Sequence, residues 1–181
     1  MRGSLVDLRP MEIADSEILY LWYSDPDVMD ITGIALPVCR SSIIEMASCD
    51  PSSKKAVRLM ICPKGEEIPI GTAFLFNIDW INRSAEYGII IGSKEHWSGG
   101  HGEDATKAVI DYAFLSLGLN RLYLSSSSIN KMAIMCYKNS GFIEEGLLRE
   151  GRYCNGKRRD VVLMSILRRD HLGKGEGASD D

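Results

Sequence analysis

Three glycines stand within residues 99–102, at the start of a stretch with helical periodicity. The pattern predicts a helix over residues 103–117, because its apolar positions recur at helical spacing and Gly118 is a typical C-terminal stop. Glycines at this place expose backbone N–H groups at the positive end of the helix dipole. Such a loop suits a phosphate or pyrophosphate group, although a flexible loop before a helix would have a similar sequence.

The segments around this loop predict a single α/β (α+β) domain. Three β-rich segments separated by turn residues indicate an antiparallel meander: 56–62, 70–79 and 85–91. The segments after the helix are a strand, a second helix and two strands of a hairpin with an Asn155-Gly156 turn: 121–127, 130–140, 142–151 and 159–167. We therefore expect a mixed central sheet of about six to seven strands, flanked by about four helices.

The N-terminal part is less regular. We expect a short strand over residues 4–9 and a helix over 14–24, with Asp15 as its possible N-cap. Asp25-Pro26 should stop that helix, because the residue before a proline is disfavoured in helical geometry. The following stretch up to residue 50 is ambiguous, with a short helix expected over 42–49.

The charge balance argues against nucleic acid as a partner. The 181 residues carry 21 Lys and Arg against 25 Asp and Glu, a formal net charge of −4, whereas a nucleic-acid binder should show a basic excess. Three of the acids lie in the last six residues. We therefore expect the domain to span residues 1–172 and residues 173–181 to form an acidic, flexible tail.

Composition also predicts the type of compartment. The five cysteines lack a C-x-x-C spacing and there are only three histidines, so we expect reduced thiols and no metal site. The apolar runs are far shorter than the roughly 20 residues of a membrane span, and the N-terminus lacks the apolar core of a signal peptide. We expect a cytoplasmic protein without a membrane partner.

Residues 100–105 read G-x-G-x-x-A, which mimics the dinucleotide-binding fingerprint. That fingerprint directly follows a strand and needs an acidic residue about 20 positions later. Here residues 92–96 intervene, and the next strand ends in four serines. Glu103-Asp104 follow the glycines in place of a P-loop lysine. Nicotinamide and P-loop nucleotide sites are therefore disfavoured.

Residues 85–105 resemble motif A of the GNAT acetyltransferases, which follows the fourth strand of that fold as Q/R-x-x-G-x-G/A. Residues 130–142, with Asn130, Tyr137 and Gly141-Phe142, resemble the second cofactor motif of that family. Three further segments resemble the branch that contains ribosomal-protein N-terminal acetyltransferases and spermidine N-acetyltransferases: 8–10, 22–28 and 146–161. The resemblance covers most of the chain in the right order.

The resemblance implies a GNAT domain that binds acetyl-CoA. In such folds the pyrophosphate lies on the amides of the glycine loop and the following helix, here Trp97, Ser98, Gly99, Gly100, His101 and Gly102. The pantetheine arm would pair like an added strand with Ile89, Ile90 and Ile91, and an N–H near Ile90 could polarise the thioester carbonyl. Asn130 would hydrogen-bond the cofactor arm, although an asparagine there is also a good helix N-cap.

Tyr137 and Glu86 are the candidate catalytic residues. A phenol with an ordinary pKa of about 10 stays protonated at neutral pH and can donate a proton to the leaving thiolate; the alternative for Tyr137 is a core residue. Glu86 could deprotonate the amine directly or through a water, or bind a cationic substrate. Its alternative role is that of a cross-strand partner for Arg83 or another base. His96 and His101 are expected to be exposed spacers around the loop.

The glycine loop departs from the family pattern. Trp97 stands where Gln or Arg is usual, and Gly99 stands where a basic residue is frequent. Glu103-Asp104 add negative charge near the expected phosphates, which Lys131 and Lys138 are best placed to offset. These departures concern the affinity for the cofactor rather than the existence of the site.

The acceptor is the least determined feature. The polyamine branch carries acidic residues where this chain has Ile34-Ala35-Leu36 and Asn77, so we expect a protein N-terminus or a small primary amine. Spermidine or another polyamine and an aminoglycoside are the alternatives on the same fold. A GNAT-like module that binds CoA without turnover is an alternative of another class. A homodimer is a further expectation, because relatives often pair.

Overall fold

The computed structural model describes residues 1–32, 37–48, 55–154 and 156–173. It contains seven strands: β1 Val6–Pro10, β2 Val57–Pro63, β3 Gly71–Asp79, β4 Ser84–Ile91, β5 Arg121–Ser127, β6 Ile143–Cys154 and β7 Lys157–Leu167. The described residues form six α-helices: α1 Ser16–Tyr23, α2 Pro26–Thr32, α3 Arg40–Ala47, α4 His101–Asp111, α5 Lys131–Asn139 and α6 Arg168–Leu172. Three short helical turns accompany them: Ile13–Asp15, Lys94–His96 and Tyr112–Ser116.

The strands form one mixed sheet in the order β1-β2-β3-β4-β5-β7-β6, which confirms the predicted fold class. The meander pairs antiparallel from β1 to β4, β4 pairs parallel with β5, and β7 pairs antiparallel with both β5 and β6. The described residues contain six helices instead of about four. Asn155 of the predicted turn, Ile34-Ala35-Leu36 and all of the predicted tail beyond Gly173 lie outside the described residues.

Helices cover both faces of the sheet. α4 and α5 pack on one face in the larger core, which includes Tyr87, Val109 and Tyr137. α1 and α3 pack on the opposite face in a smaller core around Leu19 and Trp22. A helix that crosses a membrane is not found among the described residues, since none is both long and apolar enough.

Two expectations for the N-terminal region hold only in part. α1 ends at Tyr23, before Asp25-Pro26, as expected, but the same pair also starts α2, because Asp25 Oδ1 accepts the N–H groups of Asp27 at 2.9 Å and Val28 at 3.4 Å. Proline suits the first helical position, where its missing N–H has no partner to lose. Asp15 occupies the N-cap position of α1, as expected, but its side chain does not cap the helix, because its carboxylate binds the Arg9 guanidinium at 2.6 and 2.9 Å.

Gly92 follows β4 directly and allows Trp22 of α1 to pack against the sheet backbone. A Cβ atom at Gly92 would lie 2.1 Å from two atoms of the Trp22 ring. We expect Gly92→Ala to lower the free energy of unfolding by about 1–3 kcal/mol through overpacking, measured by urea denaturation. Gly146→Ala is the control, because its Cβ would meet nothing within 4 Å and should change stability by about 0.5 kcal/mol or less. Equal effects would contradict this account.

Candidate active site

β4 and β5 run parallel but pair only over their first residues. The Cα partners are Ser84 with Arg121, Ala85 with Leu122 and Glu86 with Tyr123. Beyond them β4 continues to Ile91 and β5 to Ser127, with no further pairing in the described part of the chain. β3 still pairs with the other edge of β4 as far as Ile91. The strands therefore part at Glu86 and leave a cleft. An extended ligand can join the unpaired edge of β4, which is called the free edge below.

α4 begins beside the far end of this free edge. A Cβ atom at Gly102 would lie 3.7 Å from Ile91 Cγ1. Gly100 turns the chain into the helix with a left-handed φ of 80°, and no side chain caps the helix. The first intrahelical hydrogen bond runs from Asp104 N to Gly100 O, at 3.0 Å. The N–H groups of residues 101–103 come before it in the chain and lack an intrahelical acceptor. This end of the cleft can bind an anion, as the sequence predicts.

The side chain of Trp97 joins the loop to the end of β4. Its indole Nε1 donates to the carbonyl oxygen of Ile91 at 2.8 Å. The side chain that replaces the usual Gln or Arg therefore ties the loop to the last residue of β4. Such a bond holds the loop backbone in place beside the end of the free edge, so the departure at Trp97 has a structural role.

His96 and His101 pack inside the loop instead of serving as exposed spacers. Both are partly buried, and their ring centroids lie 5.1 Å apart. His96 Nδ1 and Ser93 Oγ form a 2.8 Å hydrogen bond. A Cβ atom at Gly99 would lie 2.7 Å from His101 Nδ1, so a glycine at this position leaves room for the imidazole. The expectation of solvent-exposed spacers is therefore wrong, because the two rings pack against each other and His96 bonds to Ser93.

Asp104 faces the N-terminal segment of the chain. Its carboxylate accepts the N–H groups of Ser4, Leu5 and Val6 at 2.9, 2.8 and 3.0 Å. Burial alone would raise the pKa of Asp104, but these three donors outweigh it and hold the pKa below its usual range. Asp104 thus joins the start of β1 to α4. Its carboxylate binds these N–H groups and not the free N–H groups of the helix.

Glu103 and Lys138, near the loop, are also paired. Glu103 accepts from Lys107 Nζ at 2.7 Å and from Asn139 Nδ2 at 3.0 Å. Lys138 forms a 2.8 Å ion pair with Glu144 at the start of β6, and Lys131 is exposed. The backbone amides of the loop therefore supply the positive potential that is built into the site.

Tyr137 lies on the α4–α5 side of the cleft. It is 7% exposed, and its ring centroid lies 6.3 Å from that of Tyr87, in β4 just beyond the parting point, and 5.8 Å from that of Phe142. Burial raises the pKa of Tyr137 above the ordinary value, so the phenol remains protonated at neutral pH. Tyr137 therefore belongs to the core and also borders the cleft.

Glu86 lies at the parting point on the opposite face. Ala85 and Tyr87 are buried under α4 and α5, and successive strand side chains alternate, so Glu86 points to the other side. Its partner is the neutral amide of Asn77, whose Nδ2 donates to Oε2 at 3.0 Å, rather than Arg83. Sequence reasoning missed this contact, because it depends on the register of β3 on β4 next to an irregularity between Phe76 and Asp79.

Asn130 has two structural partners. Its Oδ1 accepts the N–H of Ala133 at 3.1 Å and caps α5, as one of the two predicted roles requires. Its Nδ2 donates to the carbonyl oxygen of Ile31 at the end of α2, also at 3.1 Å. The role toward a cofactor stays a prediction.

The parts of the cleft together fit an acyl-CoA. A free strand edge can pair with the amides of a pantetheine arm, and uncapped helix amides can hold a pyrophosphate. A protonated phenol and a carboxylate flank the point where the strands part, on opposite faces of the sheet. These features define the class of an acyl-CoA-dependent transferase.

The sequence comparisons identify the family. Residues 6–143 match the family described as "Acetyltransferase (GNAT) domain". The chain is 34% identical to the "Uncharacterized N-acetyltransferase p20" of Bacillus licheniformis over 169 residues, 92% of this chain and 94% of the relative. It is 38% identical to the "Putative ribosomal N-acetyltransferase YdaF" of Bacillus subtilis over 104 residues, 58% of this chain and 56% of the relative. This chain belongs to the GNAT acetyltransferase family.

A solved structure supports the same assignment. The crystal structure of spermidine N-acetyltransferase from Vibrio cholerae in complex with CoA and spermine superposes with a TM-score of 0.85. The two chains are 29% identical, and the match covers 94% of this chain and 99% of the other. The protein is thus an acetyl-CoA-dependent N-acetyltransferase, an enzyme and not the non-catalytic module of the alternative prediction.

Asp104→Asn tests whether this carboxylate joins the N-terminal segment to α4. At neutral pH we expect a loss of about 1–3 kcal/mol in the free energy of unfolding, because one acceptor oxygen becomes an amide donor that faces N–H groups. The folded-state pKa is lowered, so the wild-type advantage is complete above the unfolded pKa of about 4 and shrinks as the pH falls below it.

Urea denaturation of both proteins across this pH range provides the measurement. Glu95→Gln is the control, because Glu95 is an exposed acid beside the same loop and should change stability by about 0.5 kcal/mol or less. A difference between Asp104→Asn and wild type that persists unchanged at low pH would refute the assigned role.

Proposed function

We propose that this enzyme transfers the acetyl group directly, with Glu86 as the proton acceptor and Tyr137 as the proton donor. Acetyl-CoA supplies a thioester, whose acyl carbon is open to attack by an amine. The amine nitrogen forms a bond to that carbon, and the carbon–sulfur bond breaks. The amine proton passes to the Glu86 carboxylate, directly or through a water, and the Tyr137 hydroxyl supplies the proton that the leaving sulfur needs. Bulk solvent restores both groups.

The observation that carries this proposal is the position of the two groups about the parted strands. Tyr137 contacts β4 from the α4–α5 side, and Glu86 points to the opposite face from the last residue that pairs with β5. A donor and an acceptor on opposite sides can act on a leaving group and an incoming amine without competing for space. A backbone N–H near Ile90, on the free edge, would polarise the thioester carbonyl.

The loop amides would hold the cofactor phosphates. The proposed binding set comprises Ile89, Ile90, Ile91, Trp97, Ser98, Gly99, Gly100, His101, Gly102, Asn130 and Lys138. Three of these side chains already have protein partners, since Trp97 donates to the Ile91 carbonyl oxygen, Asn130 caps α5 and Lys138 pairs with Glu144. Binding would therefore rest mainly on backbone N–H groups, and Lys138 would contribute only by leaving its ion pair.

The acceptor that the charges favour has one primary amine, such as a protein N-terminus or a small amine. Lys94 neutralises Asp25 and Asp27, and Arg121 pairs with Glu145 and lowers its pKa to about 2. Glu86 instead has a neutral partner in Asn77, so it can bind one ammonium group. Spermidine is the second candidate, because the spermidine N-acetyltransferase of Vibrio cholerae shares the fold over nearly its whole length.

The proposal also includes a homodimer and a cytoplasmic location. Four large apolar side chains of the edge strand β6 are exposed, Ile143, Leu147, Leu148 and Tyr153, and contact with a second copy would remove them from water. The expected homodimer would be detected by light scattering coupled to gel filtration. The cytoplasmic location stays a prediction.

Tyr137→Phe tests the proton donor. We expect kcat to fall by about 10²- to 10⁴-fold, because the departing sulfur loses its acid, with little change in the KM for acetyl-CoA. Tyr87→Phe is a matched control, since it removes the hydroxyl of a second buried tyrosine whose partner is Thr106 at 2.9 Å. A Tyr137→Phe enzyme with the kcat of wild type would remove Tyr137 as the donor.

Glu86→Gln tests the proton acceptor through pH dependence. We expect kcat/KM for the amine to fall at neutral pH by about 10²-fold or more. The deficit should shrink as the pH rises toward the pKa of the amine, because an amine that is already deprotonated needs no base. Glu66→Gln, an exposed acid on the β2–β3 turn, should follow the wild-type profile. A deficit that is constant with pH would point to substrate binding instead of proton transfer.

The rate of thiol release from acetyl-CoA measures which acceptor amine the enzyme prefers. The assay compares a short peptide with a free α-amino group and spermidine, each at several concentrations. The proposal predicts a higher kcat/KM for the peptide than for spermidine. A preference for spermidine would overturn the assignment of the acceptor and leave the acetyl-transfer chemistry in place.

A further inference from the structure

Helix α2 is held at both ends by ion pairs and hydrogen bonds from residues in distant parts of the chain. At its N-terminal end, Lys94 binds Asp25 at 2.9 Å and also Asp27. At its C-terminal end, Asn130 Nδ2 donates to the carbonyl oxygen of Ile31 and Arg152 Nη1 donates to that of Thr32, both at 3.1 Å. These carbonyls belong to the last turn of the helix, which has no intrahelical donors for them.

The anchoring residues lie at the two sides of the cleft. Lys94 follows the end of β4, and Asn130 follows the end of β5. α2 therefore reaches from one parted strand to the other. It also contacts α1, which packs on the sheet face toward which Glu86 points. The helix thus lies across the cleft on the side from which the proposed amine would enter.

The partial burial of Arg152 is not explained by contacts within its own hairpin. Arg152 is partly buried, although the rest of β6 up to Gly151 is exposed. Across the hairpin its Cα partner is Arg159, and two like charges directly opposite each other disfavour strand pairing. The bond to Thr32, 120 positions earlier in the chain, is a charge-assisted contact that offsets this cost.

We propose that Arg152 is a positioning residue for the acceptor amine, acting through α2. It holds the end of the helix over the cleft and so shapes the entrance on the Glu86 side. In this proposal it does not touch the reacting atoms, and its hydrogen bond runs to α2 and not to the cofactor loop. This inference rests on the proposed function, because it assumes that the amine enters beside Glu86.

The test compares three variants of the full chain: Arg152→Met, Arg152→Lys and Arg158→Met. Methionine keeps an apolar stem without donors, lysine keeps the charge and a donor, and Arg158 is an exposed arginine of the same hairpin that faces Glu150 at 3.7 Å. The kinetic readouts are KM for the amine, KM for acetyl-CoA and kcat, with the peptide or spermidine as acceptor, whichever the wild type turns over faster. The structural readout is hydrogen exchange of the backbone amides of residues 26–32.

The proposal predicts about a tenfold rise in the amine KM for Arg152→Met, the effect of one lost charge-assisted bond. KM for acetyl-CoA should stay unchanged, amide exchange in α2 should become faster, Arg152→Lys should recover part of both effects, and Arg158→Met should match wild type. An unchanged amine KM, unchanged exchange in α2, or an equal rise in both KM values would overturn it. Absence of acetyl transfer by the wild type would instead refute the proposed function, and exchange in α2 would then decide whether Arg152 anchors the helix.

Discussion

The parting of two parallel strands is the constraint on which the rest of this structure depends. β4 and β5 share three paired positions and then separate, so a strand edge inside the sheet loses its hydrogen-bond partners. An unpaired edge in the middle of a sheet is unfavourable unless solvent or a ligand satisfies it. In the proposed function this edge is the binding surface for the cofactor. The elements beyond it are arranged about that opening: α4 at its end, α5 on one face and α2 across the other.

Contacts within the protein hold this opening in shape. Trp97 ties the loop to the end of β4, the two histidine rings fill its interior, and Asp104 joins α4 to the N-terminal segment. The acids that looked unfavourable for a phosphate site therefore face other partners. Since Lys138 is also engaged, the proposed phosphate site would depend on oriented backbone amides, which need no rearrangement before an anion binds. We therefore propose that such a pre-formed site does not need the usual Gln or Arg at the position of Trp97.

Local features of the structure could be predicted from the sequence, and contacts between distant segments could not. Gly118 and Gly141 adopt the left-handed φ expected of helix stops, 67° and 100°, and Asn130 caps α5. α2 is not predicted, because Asp25-Pro26 is interpreted only as a stop, although the same pair is a good N-cap and first helical residue. The partners of Asp104 and Arg152 lie about 100 and 120 positions away, and no spacing rule predicts which segments meet at such a distance.

The central claim is that Tyr137 and Glu86 face the reacting atoms from opposite sides of the cleft between β4 and β5. A crystal structure of the enzyme with CoA and an amine acceptor tests it most directly. The account predicts the CoA sulfur within hydrogen-bond distance of the Tyr137 hydroxyl, the pantetheine arm along residues 89–91, and the amine nitrogen on the Glu86 side beneath α2. A sulfur atom remote from Tyr137, or an amine that enters from the α4–α5 side, would contradict it.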